Sequence, residues 1–277
     1  MDYFGSWFNR LQVFSFCRYL LVPMLFFFRQ TDALCQATEV ENPVCVINFG
    51  VLANYSSVID QKYSSLSYSG INPGLSARFK IRLPHIEHVF EAVYSGGNLE
   101  TSSPVSKTLK TTLLNINYYS LVPVYKSGNE LFSVQVGAGM GFLYNQRVYS
   151  DFINSGRTFE TIISLAGTGL VEYTFGSEIH SLRLSDHFTV PFLFYYLQPG
   201  YSSLTEPVSE TESVKNQDHV VFIPKVLRFS NMVSLEKPLN HSLAVFLFYN
   251  WDFYQIKSSR EIRNNNQEIG LAVSYKF

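Results

Sequence analysis

The last nine residues, Ile269 to Phe277, alternate without a fault. Ile269, Leu271, Val273, Tyr275 and Phe277 fall on one side, and Gly270, Ala272, Ser274 and Lys276 on the other, the side that Glu268 before them shares. A period of two places successive side chains on opposite faces of a strand. An apolar stripe on a terminal strand invites edge pairing in water. The closing strand of a membrane barrel requires such a stripe, because one face meets hydrocarbon and the other a polar interior.

Composition points the same way. Charged residues are 16% of the chain, aromatics are 16%, and the formal net charge is -1. No basic excess is present to neutralise phosphates, which argues against nucleic acid as a partner. The mean hydropathy of +0.04 is low for a helical membrane protein. In a barrel, polar inward residues dilute the apolar outward ones. A soluble sandwich also alternates, but its outer faces are rich in Lys and Glu, and this chain is too poor in charge to coat them. The ending resembles the C-terminal signature of bacterial outer-membrane β-barrels. That resemblance implies that Tyr275 and Phe277 are read by the barrel assembly machinery.

At the N-terminus, Arg10 and Arg18 precede an apolar run from Tyr19 to Phe28, with Ala33 and Cys35 beyond it. This is the pattern of a signal peptide over residues 1–35, cut between Cys35 and Gln36. The run is shorter than the ~20 residues a spanning helix needs. Acylation of Cys35 is the rival reading, although Asp32-Ala33-Leu34 fits a lipobox poorly. Cys45 would then stand alone, so no intrachain disulfide is expected.

From residue 36 to 277 the chain reads as one barrel domain of alternating segments. The first sets Ile47, Phe49, Val51, Ala53 and Tyr55 against Asn48, Gly50 and Asn54. The second sets Leu75, Ala77, Phe79, Ile81 and Leu83 against Ser76, Arg78, Lys80 and Arg82. Phe90, Ala92 and Tyr94 oppose Glu91 and Ser95 in the third, and Leu114, Ile116 and Tyr118 oppose Asn115 and Asn117 in the fourth. The fifth, Phe132 to Tyr144, is the cleanest internal case. The sixth runs from Ile163 to Phe175. The seventh puts Phe188, Val190, Phe192, Phe194 and Tyr196 on one face. The eighth, Val220 to Val233, is interrupted by Pro224. The ninth turns Leu243, Val245, Leu247, Tyr249, Trp251 and Phe253 outward, and the tenth closes the chain. The expected fold is a closed antiparallel up-and-down transmembrane β-barrel of about ten strands, with eight or twelve as alternatives.

Connections sort into short ones, near Pro84, Ser127-Gly128-Asn129, Gly176 to Ser185 and Lys237 to Asn240, and long ones. The long set comprises Ser56 to Pro73, Gly96 to Lys107, Arg147 to Thr158, Pro199 to Asp218 and Lys257 to Asn266. Short turns belong to the periplasm and long loops to the outside. Tyr55, Tyr94, Tyr118, Tyr144, Tyr173, Tyr196, Trp251 and Tyr275 suit interfacial girdles. Asn48 to Ser56, Phe90 to Gly97 and Val134 to Gly139 resemble the first, third and fifth strands of the small PorT-like barrels of Bacteroidota. Those barrels commonly have eight strands, so the hairpin around Val220 to Phe253 is a departure.

The inward charges expected from the alternation are Arg78, Lys80, Arg82, Glu91, Glu172, Arg228 and Asp252. Glu268 and Lys276 share that face. A lumen of this size is filled by side chains, and buried charges are normally paired. The leading expectation is therefore a salt-bridged plug. The alternative is a narrow anion-selective pore lined by Arg78, Lys80 and Arg82. A rim hydrolase is the third reading, through His219 with Asp252, because His85, His88, His180, His187 and His241 fall at or near periplasmic turns. Adjacent Asp218 and His219 point to opposite faces and make no dyad alone. Ser230-Asn231 lacks the histidine a lipid A deacylase motif needs two residues earlier. The His85-x-x-His88 pair lacks further zinc ligands at suitable spacing. Glycines 137, 139 and 141 alternate on the inner face, where they would admit a bulky side chain from across the lumen. No cofactor, metal or catalytic residue is expected. The expected partners are outer-membrane lipid and lipopolysaccharide, the assembly machinery and an envelope protein.

Overall fold

The computed structural model describes residues 44–61, 64–101, 107–129, 131–149, 157–176, 181–198, 217–223, 225–257 and 261–277. The expected signal segment and residues 36–43 lie outside them. Eleven strands follow in order: β1 (Val44–Asp60), β2 (Ser64–Arg82), β3 (Glu87–Thr101), β4 (Thr108–Lys126), β5 (Phe132–Tyr149), β6 (Arg157–Phe175), β7 (Leu182–Gln198), β8 (Gln217–Phe222), β9 (Val226–Pro238), β10 (Leu243–Ile256) and β11 (Ile262–Lys276).

Each strand from β1 to β7 pairs antiparallel with the next, β7 pairs with β9, and β11 closes on β1. The eighth expected segment is two strands, and Pro224 falls in sequence between them. β7 uses residues 183–189 to pair with β9 and residues 193–198 to pair with β8. The wall therefore has ten positions, one of them broken. At the seam, Phe277 N donates to Cys45 O at 3.0 Å and Cys45 N donates to Phe277 O at 3.2 Å. Both ends of the wall lie with the tight turns at residues 83–86, 127–131 and 239–242, which makes this the periplasmic mouth. Gly176, beyond β6 at the same mouth, has φ of 78°, a conformation that disfavours any side chain.

Outward residues over most of each strand are apolar and exposed, with Phe49 at 66% and Val273 at 56%. Towards the outer ends the phase inverts. On β4, Ile116 faces out while Asn115 faces in. A few residues further up, Lys110 faces out while Leu109 and Leu113 are buried inside. On β1, Phe49, Val51 and Tyr55 face out, whereas Val58 is buried. Hydrocarbon surrounds the lower wall and water the upper one, so the upper wall is built like a soluble barrel, apolar within and polar without. Two apolar clusters fill that upper interior. One joins Leu113, Leu143, Ile162, Phe194, Val226 and Ile256 with their neighbours, and the other joins Val58, Tyr68, Leu99, Leu109 and Tyr149. All ten wall positions contribute to them.

Strands consequently run further than the sequence suggests. Asp60 and Arg147 are strand residues although the sequence places them in the loops Ser56 to Pro73 and Arg147 to Thr158, and Glu160 is a strand residue short of the expected sixth segment. The seventh segment also needs correction. Leu165 pairs with Leu193 and Ala166 with Pro191, so Phe192 is an extra residue in β7. A one-residue bulge flips every side chain beyond it. Phe192 is exposed, but Phe194 and Tyr196 point inward and are buried, so Tyr196 is not a girdle residue.

Candidate functional site

The lumen is the candidate site, and its lowest tier is charged. β2 presents Lys80 and Arg82 inward, β3 presents Glu87 and β6 presents Glu172. Lys80 Nζ lies 3.0 Å from Glu87 and 3.5 Å from Glu172. Arg82 reaches Glu87 at 2.8 Å and Glu172 at 3.2 Å. Four strand steps separate β2 from β6, so the two pairs to Glu172 cross the lumen. Gln135 of β5 also donates to Glu172, at 3.5 Å.

The middle tier holds two further pairs. Arg78 Nε lies 3.0 Å from Glu91 on the adjacent strand, with its guanidinium 5.7 Å from the centre of the Phe246 ring. Arg228 of β9 grips Asp252 of β10 with both ends of its fork, at 3.2 and 2.9 Å. The same guanidinium donates to Asn115 across the lumen at 3.1 Å. Asn250 donates to the buried Glu268 at 2.8 Å. Bidentate geometry of this kind fixes both partners. All seven charges named from the alternation lie inside and meet an opposite charge. Lys276, at the mouth, is exposed.

His187 sits in the body of β7, contrary to the expected turn position. It is buried, shares a hydrogen bond of 2.7 Å with Thr168 Oγ1, and packs edge-on to Tyr119 at 4.6 Å. A Cβ on Gly139 would strike the Tyr119 ring. The side chain that fills this glycine's space therefore comes from the neighbouring β4, Tyr119's cross-strand position, and not from across the lumen.

The upper tier was missed. Arg147 is fully buried and donates to Asp60 at 3.2 Å, Glu160 at 2.9 Å and the Tyr254 hydroxyl at 2.9 Å. Tyr254 donates to Glu160 at 2.7 Å and Tyr149 to Asp60 at 3.3 Å. Glu87 was missed as well. Continued alternation with inverted phase is the signal that could have revealed Asp60, Arg147 and Glu160.

Among the described residues, the cavities of this interior include two with room for about one water each. One lies among Tyr119, Gly141, Ser164 and Arg228, and the other among Asn72, Asn145, Asn264 and Asn266. Among the described residues no group of three His, Cys, Asp or Glu side chains is placed to hold a metal. The backbone of His219 on β8 pairs with Tyr196, while Asp252 on β10 pairs with Ser230 and Asn266. The ladder does not set them side by side. Tyr275 and Phe277 face outward at the periplasmic mouth, with ring centres 5.9 Å apart.

Closed wall, apolar outer belt and filled lumen together define an outer-membrane β-barrel. No protein-family model matches the chain, and no characterised protein sequence does. Among solved structures it is similar to the outer membrane protease OmpT from Escherichia coli, with a TM-score of 0.56 and 10% identity over 87% of this chain and 99% of that one. Fainter likenesses are to the translocator domain of the autotransporter NalP from Neisseria meningitidis (TM-score 0.42, 8% identity, 94% and 98% covered) and to Neisserial surface protein A (0.38, 7%, 86% and 100%). At these identities the likeness concerns fold. The exposed apolar belt on a closed barrel places the chain in the bacterial outer membrane.

Proposed function

We propose that this protein is a non-enzymatic outer-membrane barrel with a closed lumen, serving a structural, surface-interaction or envelope-complex role. The observation that carries the proposal is the set of pairs spanning the lumen, Lys80 and Arg82 to Glu172 and Arg228 to Asn115, beneath an apolar upper core. Side chains that bridge opposite walls leave no file for solute. A barrel without a conduit acts through its surfaces, which is what supports a surface-interaction or envelope-complex role.

The test is single-channel recording of the refolded barrel in planar bilayers. The expected trace is flat. Discrete, reproducible conductance steps would favour the narrow-pore reading, in which Arg78, Lys80 and Arg82 select anions. Each of these cations already faces a carboxylate, so an anion would have to displace Glu87, Glu91 or Glu172.

A further inference from the structure

On the outer surface of β9 and β10 an aromatic cluster marks the boundary between hydrocarbon and water, with Asn231 of β9 and Asn265 and Gln267 of β11 outward beside it. Phe229, Trp251 and Phe253 face outward together, with Phe229 4.6 Å from Trp251 and 5.9 Å from Phe253. One outward position higher stand Leu227, Gln255 and Arg263. Above those, Lys225 immediately precedes β9 and Lys257 immediately follows β10. Lys257 N donates to Lys225 O at 2.8 Å, continuing the ladder that pairs Ile256 with Val226. Both lysines are exposed.

Two like charges directly opposite on neighbouring strands repel. The described carboxylate at this corner is Glu261, and it is already engaged. Arg263 donates to it through Nε and Nη2 at 3.1 and 2.7 Å, and Gln255 donates at 2.7 Å. Those hydrogen bonds hold the Glu261 carboxyl below its ordinary range, and Lys257 adds to the effect. Among the described residues, three cations against one carboxylate leave this corner positive. It lies just above an aromatic shelf, at the height where the headgroups of the outer leaflet begin.

We infer that Lys225 and Lys257 form a binding site for the phosphate of a phosphorylated glycolipid of the outer leaflet, whose acyl chains lie along Phe229, Trp251 and Phe253. An anion between the two ammonium groups removes their repulsion, and the shelf supplies apolar contact in the same ligand. A free phosphate would use only half of this surface. The inference rests on the outer-membrane placement and is independent of whether the lumen conducts.

The experiment is native mass spectrometry of the full barrel in detergent, offered lipid A and its dephosphorylated form with identical acyl chains. Near a membrane surface each basic residue adds roughly 1 kcal/mol, so retention of the phosphorylated form is expected to be about tenfold greater or more. Lys225→Gln with Lys257→Gln should abolish that preference. Lys126→Gln with Lys237→Gln, at the opposite mouth, should keep it. Heat-shifted electrophoretic mobility establishes that each variant is folded. A wild-type barrel that does not discriminate, a lysine pair variant that still does, or full displacement by inorganic phosphate overturns the proposal.

Discussion

Arg147 holds two carboxylates where no water reaches: its side chain is 0% exposed, as is that of Glu160, with Asp60 at 1%. Removing one member of a buried group leaves the others charged and unpaired, at a cost of about 3–5 kcal/mol. Arg147→Ala should therefore lower the unfolding free energy of the refolded barrel, read from urea titration, by an amount of that order. Arg147→Met combined with Asp60→Asn and Glu160→Gln removes the charges together and should recover most of the loss. Equal stability of Arg147→Ala and wild type would show that the triad is not coupled. Arg82 makes a useful contrast, because its side chain is 39% exposed at the mouth. There, solvent screening limits Arg82→Gln to about 1 kcal/mol or less. This difference was not legible in the sequence. Arg82 stands in an apolar-polar alternation that labels it inward, whereas Arg147 is flanked by Gln146 and Val148, which carry no such label.

β7 shows how an element can keep its alternation and still change sides. Phe188, Val190, Phe192, Phe194 and Tyr196 read as one stripe, yet the extra residue at Phe192 divides it between lipid and lumen. Single cysteines make this visible. Phe192→Cys should react with a bilayer-soluble maleimide, and Phe194→Cys, facing the upper apolar core, should react at least tenfold more slowly. Similar rates at both positions would mean that β7 runs unbulged. The alternation gave the direction of the side chains over the hydrocarbon-facing part of most strands, where one rule holds. It failed above the outer girdle because Leu109, Leu113, Val58 and Ile162 obey the opposite rule there. A pattern whose phase inverts mid-strand looks like a strand that stops. That is why Asp60 and Arg147 read as loop residues and Glu160 falls outside the expected sixth strand, and why the alternation predicts the charged plug without its apolar cap.

Seen as a whole, the lumen is closed in series: by a charged tier, by the Arg228–Asp252–Asn115 crossing above it and by an apolar tier above that. The charged tier near the periplasmic mouth rests on Glu87 and Glu172, which compensate Lys80 and Arg82. The apolar tier near the outer mouth draws on every wall position and contains none of these groups. Resistances in series do not vanish when one is removed. Glu87→Gln with Glu172→Gln leaves two cations without their partners, which should swell and hydrate the lower tier and lower stability by a few kcal/mol. It should still give a flat trace in planar bilayers, because hydrated Lys80 and Arg82 lead only to the buried ring of Leu143, Ile162, Phe194 and Val226. Opening the upper tier alone, by Phe194→Ala with Ile162→Ala, should likewise stay silent, since the ion pairs below remain. Conductance is expected only when both sets of changes are combined with Arg228→Ala and Asp252→Ala, which remove the middle crossing to Asn115. Steps from either double variant alone would mean that a single constriction closes this barrel and that the other tiers are already permeable.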